Sequence, residues 1–393
     1  MESCRRIIMI FFLVAGLSDK KLSMKRFHLV AIALVILGFP SMISSATAAE
    51  PDLDTRIGQM IMVGFRGIVV TDDHAVVRDI LERHIGGVIL FDYDVPTGTY
   101  GRNIDSERQL KGLTASLQKR AAIPLLVAID QEGGKVNRLK EVYGFPPTLS
   151  QQRLGAVNDL KKTAKHAEVT AGLLAKAGIN LNLAPVVDLN TNRKSPIIGR
   201  FERSFARDPL VVTRHALAVI EAHHRYGILT ALKHFPGHGS ARGDTQDVLV
   251  DVTGQWSPIE LEPFRSLIRQ GRADLVMTAH IMNGNLDPAW PATLSAKTLT
   301  DLLRREMGFE GVVISDDLQM KPIVDRYGLE TAVKQAILAG VDILILANNS
   351  VYEEDIAARA ISAIKEAIRK GELTTERIDE SWRRIMKLKE RLK

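Results

Sequence analysis

Short apolar runs rich in Val, Ile and Leu recur along the chain at residues 57–65, 87–91, 125–129, 179–187, 228–232, 275–279, 311–314 and 343–347. They are apolar throughout rather than alternating, which is the pattern of strands buried on both faces of a sheet. Between them lie longer stretches with helical spacing of apolar positions, among them 159–177, 209–226, 295–307 and 329–339, several of which end at a glycine, as helix C-caps do. Strands alternating with helices predict a parallel sheet covered by helices. Eight such units fit a (β/α)8 barrel of the α/β class better than a doubly wound sheet, because no G-x-G-x-x-G follows the first strand. The tail, 352–393, reads as two amphipathic helices separated by Gly371, with no strand pattern. A single barrel domain over 50–393 with C-terminal helices is the resulting expectation.

The N-terminus changes how the composition is read. Met24-Lys25-Arg26 precedes an apolar run over 27–39 and then a small-residue stretch ending Ala46-Thr47-Ala48. A basic segment, an apolar segment and an Ala-x-Ala site predict a signal peptide over 1–48, with 1–23 as an upstream extension, and hence a periplasmic or secreted protein. An uncleaved anchor is the competing use of the same run, although it is short of the roughly 20 residues a spanning helix needs. Residues 1–48 carry six basic residues against two acidic ones, so cleavage would lower the net charge from +6 to +2. The basic balance is largely a property of the leader, no basic patch is interleaved with aromatics, and nucleic-acid binding is not expected. The single cysteine, Cys4, lies in the leader, so neither a disulfide nor thiolate chemistry is expected of the mature chain, and a monomer is the expected state.

Catalytic groups of a (β/α)8 barrel sit at the C-terminal ends of its strands. Asp130 follows Leu-Leu-Val-Ala-Ile, Asp188 follows Ala-Pro-Val-Val, and Lys233-His234 follow Leu-Thr-Ala-Leu; His280 follows Val-Met-Thr-Ala, and Asp316-Asp317 follow Val-Val-Ile-Ser. A single such residue reads equally well as a helix N-cap. Five strands ending this way point to a polar site, suited to carboxylate-based hydrolysis of a polar substrate. No serine nucleophile elbow, H-E-x-x-H or C-x-x-C is present. His234 and His238 are four apart, but they flank a Pro-Gly turn where no helical face aligns them, so neither a metal nor a cofactor is expected.

Three stretches together resemble the single-domain β-N-acetylglucosaminidases of glycoside hydrolase family 3: Ile129-Asp130-Gln131-Glu132-Gly133-Gly134, Lys233-His234-Phe235-Pro236-Gly237-His238-Gly239 and Ser315-Asp316-Asp317-Leu318. The likeness runs from Ile57 to the last helices. It implies a barrel that removes terminal N-acetylglucosamine from a carbohydrate with retention of configuration, commonly in cell-wall turnover. It further implies Asp316 as the nucleophile, with Asp130, Lys233, His234 and Arg203 on sugar hydroxyls and Arg138 as a further candidate at the sugar. The residue types suit these roles. A retaining glycosidase needs an ionised carboxylate beneath the anomeric carbon, and a carboxylate beside a lysine satisfies both the donor and the acceptor of vicinal hydroxyls. Asp317 could serve only as a cap for the helix that follows.

One stretch departs from the family pattern. Where the family carries Asp-x-His, with the histidine as acid/base, this chain has Asp244-Thr245-Gln246, and a glutamine has no proton to transfer at neutral pH. Three readings stay open: Asp244 is itself the acid/base, a neighbour such as Asp247 or His238 has taken over, or the protein is a slow or purely sugar-binding homologue.

Overall fold

The computed structural model describes residues 51–243 and 248–392. Its centre is a ring of eight parallel strands: β1 (Ile61–Gly64), β2 (Gly87–Leu90), β3 (Leu126–Ile129), β4 (Leu181–Asn182), β5 (Leu229–Phe235), β6 (Leu275–Thr278), β7 (Val312–Ile314) and β8 (Leu344–Leu346). Each strand pairs with its neighbour in sequence, and β1 pairs with β8. A parallel bridge from Ile314 to Ile343 joins β7 to β8 and closes the barrel. Every strand residue is buried, which is why the runs carry no polar alternation. The (β/α)8 reading therefore holds.

Local chemistry sets the helix boundaries. Asp159 caps Leu160–Lys176 by accepting from the Lys161 and Lys162 N–H groups. Asp208 caps Pro209–Arg225, where proline at the first position gives up an N–H that would be unpaired anyway. Gly340, at φ 118°, ends Leu329–Ala339. The two C-terminal helices are Ile356–Arg369 and Thr375–Lys389, with Gly371 between them. Among the described residues no helix is long and apolar enough to cross a membrane. The leader reading falls on residues outside the described range.

Two of the apolar runs are not single strands. Residues 57–65 join the end of a helix, Leu53–Gln59, to β1, and Asp52 caps that helix through the Thr55 N–H. In 179–187 only Leu181–Asn182 lies in the ladder, with an isolated bridge from Val186 to Lys233. Pro185 lies between the two and has no N–H to donate to a ladder.

The N-terminal end of the barrel is fastened by buried charge. Asp342, just before β8, accepts from Arg304 at 2.5 Å, Arg384 at 3.1 Å, Ser381 at 2.8 Å and the Val313 N–H at 2.9 Å. It thereby ties the helical segment Lys297–Glu306 and the last helix to the sheet. Lys389 of that last helix donates to Gln59 Oε1 at 2.6 Å and to the Gly86 carbonyl at 2.8 Å. Asp342→Ala should lower stability by about 3–5 kcal/mol, because the arginines keep their charge and lose their shared acceptor. Urea unfolding measures this, and a loss below 1 kcal/mol would show that the cluster is not a fastening.

Candidate active site

The opposite, C-terminal end of the barrel opens into a cavity of about 560 Å3, within the usual range for small-ligand sites. Asp130, Arg138, Arg203, Lys233, His234 and Asp316 all line it. The described residues expected at the sugar thus come to one place, whereas the strand-end residues Asp188 and His280 are not part of its lining. Asp244, Gln246 and Asp247 lie outside the described residues.

The cluster is built from β3 and β5. Lys233, only 1% exposed at the end of β5, places its ammonium 2.7 Å from Asp130 Oδ1 and 2.7 Å from Glu132 Oε1. Glu132 receives Arg203 in a two-pronged pair, Nε to Oε2 at 2.8 Å and Nη2 to Oε1 at 2.7 Å. Burial opposes the charge on Glu132, but Arg203 and Lys233 outweigh it and hold its carboxyl well below the usual carboxylate range. Arg203 Nη2 also donates to His234 Nε2 at 3.0 Å, while His234 Nδ1 faces Asp188 Oδ2 at 2.7 Å. A guanidinium can only donate, so Nε2 accepts from Arg203 and Nδ1 is the nitrogen placed to donate to Asp188. Arg138 sits more loosely, with Nη2 3.7 Å from Asp130. Its backbone N–H and that of Leu139 donate to Gln131 Oε1, which closes the loop that begins with the Gln-Glu-Gly-Gly turn.

The adjacent acids Asp316 and Asp317 behave differently. The Asp316 backbone N–H donates to Thr278 Oγ1 at 3.3 Å, and its Oδ1 accepts the Asp317 N–H at 2.8 Å. Burial would raise the Asp316 pKa, but His280, His234, that N–H and Lys233 outweigh it and the carboxyl is held below its ordinary value. Asp317 is pushed up to about 7 by burial, against the backbone N–H groups it accepts from. Its Oδ1 takes the Gln319 N–H at 3.0 Å and the Ala347 N–H at 2.9 Å, so it caps the following turn and also ties β7 to β8. The helix that follows, Lys321–Tyr327, is capped at Met320 without a side-chain bond, so Asp317 braces the turn before that helix and does not cap the helix itself.

Two of the strand-end residues turn toward the scaffold. Asp188 accepts from the His234 and His238 N–H groups as well as from the His234 ring. His280 bridges Thr293 Oγ1 and the Asp317 carbonyl. His238 lines the cavity, but burial and then His234 press its pKa down to about 4. It is therefore neutral at pH 7 and is no proton donor there.

Two residues had no assigned role in the sequence. Glu132 stands two after Asp130, on the same side of an extended chain, and that spacing was a usable signal. Glu260 offered none. It lies in the turn Pro258–Leu261 and accepts the Gly239 N–H at 3.0 Å. The Pro236-Gly237-His238-Gly239 turn is gripped from both sides. A Cβ on Gly237, at φ 114°, would lie 2.6 Å from Glu260 Cβ, and one on Gly239 would lie 1.7 Å from the Leu189 carbonyl oxygen. Trp256 Nε1 donates to the Pro236 carbonyl at 3.1 Å.

The (β/α)8 barrel carries its aspartate and its buried lysine–carboxylate–arginine cluster at the C-terminal mouth, the end where enzymes of this fold hold their active sites. The chain belongs to glycoside hydrolase family 3: residues 52–388 match the Glycosyl hydrolase family 3 N terminal domain. It is 33% identical to "Beta-hexosaminidase A" of Pseudoalteromonas piscicida over 88% of this chain and 63% of that protein. It is 36% identical to a "Beta-hexosaminidase" of Xylella fastidiosa strain M23 over 77% of this chain and 87% of the relative. Among solved structures, the family 3 β-N-acetylglucosaminidase of Paenibacillus sp. str. FPU-7 superposes with a TM-score of 0.79 at 35% identity, covering 87% of this chain and 62% of that one. The β-N-acetylhexosaminidase of Beutenbergia cavernae DSM 12333 gives 0.77 at 30% identity over 87% and 99%. The chain thus spans under two thirds of the Pseudoalteromonas and Paenibacillus proteins and nearly all of the Beutenbergia one.

Glu260 makes a pH-dependent prediction. Burial pushes its pKa from 4.5 up to about 7, with Asp188 adding to the rise, against hydrogen bonds from Ser240 and Gly239. The folded protein then keeps a proton that the unfolded chain releases, so stability falls as pH rises from about 4.5 to about 7 and is flat above. Glu260→Gln removes that fall. The variant should match wild type below pH 4.5 and exceed it above pH 7, by up to about 3 kcal/mol. Urea midpoints at pH 4.5 and pH 8 test this, and a variant less stable than wild type at pH 8 would refute it.

Proposed function

We propose that this protein is a retaining glycosidase that releases terminal β-linked N-acetylglucosamine or a related N-acetylhexosamine through a glycosyl-enzyme intermediate on Asp316. The observation that carries the reading is an Asp316 carboxylate held ionised at a cavity whose other polar groups, Asp130, Lys233, His234 and Arg203, suit the hydroxyls of one sugar ring. The names of the relatives, β-hexosaminidase and β-N-acetylglucosaminidase, support the choice of sugar. Cell-wall-derived or related glycans are the proposed source, the signal peptide expected over 1–48 supports export to the periplasm or beyond, and a monomer is the proposed state.

In the first step Asp316 attacks the anomeric carbon while the bond to the leaving oxygen breaks, and an acid delivers a proton to that oxygen. Water then displaces Asp316, losing its proton to the same group. Asp130 and Lys233 orient the ring, and Arg138, in the lining of the same cavity, is a further group for its hydroxyls. The lowered pKa of His238 argues against it as the acid, and of the two aspartates in the stretch that follows, Asp244 and Asp247, Asp244 is the proposed acid/base. The alternative, a non-catalytic sugar binder, rests on Gln246 standing where the family has histidine.

Asp316→Asn should abolish turnover on every glycoside, since the amide neither forms the intermediate nor stabilises the developing positive charge. A slow fluorinated glycoside should label wild type covalently at Asp316, seen by intact mass and peptide mapping. An unlabelled wild type, or a variant within about tenfold of its rate, would end the reading.

Gln246 should make the enzyme favour good leaving groups. A nitrophenoxide needs little protonation, whereas a sugar hydroxyl depends on an acid that contributes about 10²–10⁴ in rate. Gln246→His restores an imidazole beside Asp244 and should raise disaccharide turnover far more than nitrophenyl glycoside turnover. Equal kcat on both substrates in wild type, unchanged by the substitution, would mean that another acid acts.

A further inference from the structure

The cavity has a closed floor and an open rim. Lys233, Glu132, Leu183 and Met277 lie buried at the floor, whereas Phe201 is 45% exposed and Val95 53% exposed at the mouth. A glycosidase acting on a terminal sugar holds that sugar at the closed end, so its leaving group projects past the rim. This inference rests on the function proposed above.

Phe201 is an apolar ring kept in water, and its position is enforced. The next residue, Glu202, has φ 59°, a left-handed conformation that a residue with a Cβ adopts only when its surroundings hold it there. Those surroundings are specific. The Glu202 carbonyl accepts the Gln152 N–H at 3.1 Å, and Glu202 Oε2 accepts Ser150 Oγ at 2.7 Å. Lys135 donates to the Arg200 carbonyl at 2.7 Å, and the Arg203 N–H donates to the Ile198 carbonyl at 3.1 Å. The same turn ends in Arg203, whose guanidinium is locked on Glu132. Phe201 is therefore fixed two residues from a group at the floor, facing the route of the leaving group, with no aromatic partner among the described residues.

We propose that Phe201 is the platform for the leaving group and that the group it selects is a second pyranose ring, whose C–H face covers the phenyl ring. A rigid aromatic surface recognises such a face with little loss of side-chain freedom, because the turn is already ordered. Phe201 then sets preference among substrates and leaves the bond-breaking chemistry to the floor.

The test compares Phe201→Ala and Phe201→Trp on N,N′-diacetylchitobiose and on N-acetyl-β-glucosaminyl azide, whose leaving group is too small to reach the ring. Phe201→Ala should lower kcat/KM on the disaccharide about tenfold or more, chiefly through KM, the usual scale for truncating an aromatic contact. Its rate on the azide should stay within about twofold, and Phe201→Trp should keep the disaccharide rate. Equal losses on both substrates, or none on the disaccharide, would overturn the proposal. In an Asp316→Asn background, Phe201→Ala should reduce disaccharide affinity to that of N-acetylglucosamine alone, and an unchanged preference for the disaccharide would also overturn it. A wild type that cleaves neither substrate would sink the glycosidase reading, while this binding comparison would still decide the role of Phe201.

Discussion

A lysine ammonium with almost no access to water is the constraint around which the mouth of this barrel is arranged. Removing such a charge from solvent costs several kcal/mol unless partners surround it closely. Lys233 has two carboxylates at 2.7 Å, Asp130 and Glu132. Glu132 is itself fully enclosed and draws in Arg203 to share its charge. The need to satisfy one cation thus joins the ends of β3 and β5 and the turn after β4 into one charge-balanced unit. Asp130, the member of the set nearest to solvent, is left with a free edge toward the cavity.

The two ends of the barrel use buried charge differently. At the N-terminal end Asp342 saturates its oxygens with arginines, a hydroxyl and a backbone N–H, and every partner comes from an element that has to be held down. At the C-terminal end the oxygens are only partly used. Asp130 and Arg138 stand 3.7 Å apart, too far for a strong pair, and Asp316 accepts one short bond from its own neighbour's backbone. A saturated cluster stabilises, whereas an unsaturated one in a cavity retains capacity for a ligand. Fold and site are separated along the barrel axis for this reason.

Much of this was legible in the sequence because both signals are local. Strands buried on both faces must be apolar throughout, so all eight were visible, and polar residues after them marked the mouth. Boundaries failed where two elements share apolar character, as in the helix Leu53–Gln59 running into β1, and where Pro185 broke a run. At the site, Asp130, Asp188 and His280 look alike in sequence, each a polar residue ending an apolar run. What separates them is the direction of unpaired backbone N–H groups: Asp188 meets those of His234 and His238 and is absorbed by them. Glu260 and Phe201 owe their positions to a distant turn and a left-handed residue, and neither leaves a trace in spacing or periodicity.

The Asp316-Asp317 pair shows how one short stretch makes two unlike acids from the same residue type. Burial pushes both toward the neutral form, so the difference lies in what each oxygen meets. Asp317 spends Oδ1 on the Ala347 and Gln319 N–H groups inside the protein, where burial dominates and its pKa rises to about 7. Asp316 faces His280, His234 and Lys233, which overcome burial and keep it ionised. The peptide between them carries the consequence across, because the same capping geometry that fixes Asp317 aims its N–H at Asp316 Oδ1. The buried acid therefore acts as the clamp for its neighbour. Only one oxygen of Asp316 is so restrained, and this leaves the other for whatever occupies the cavity.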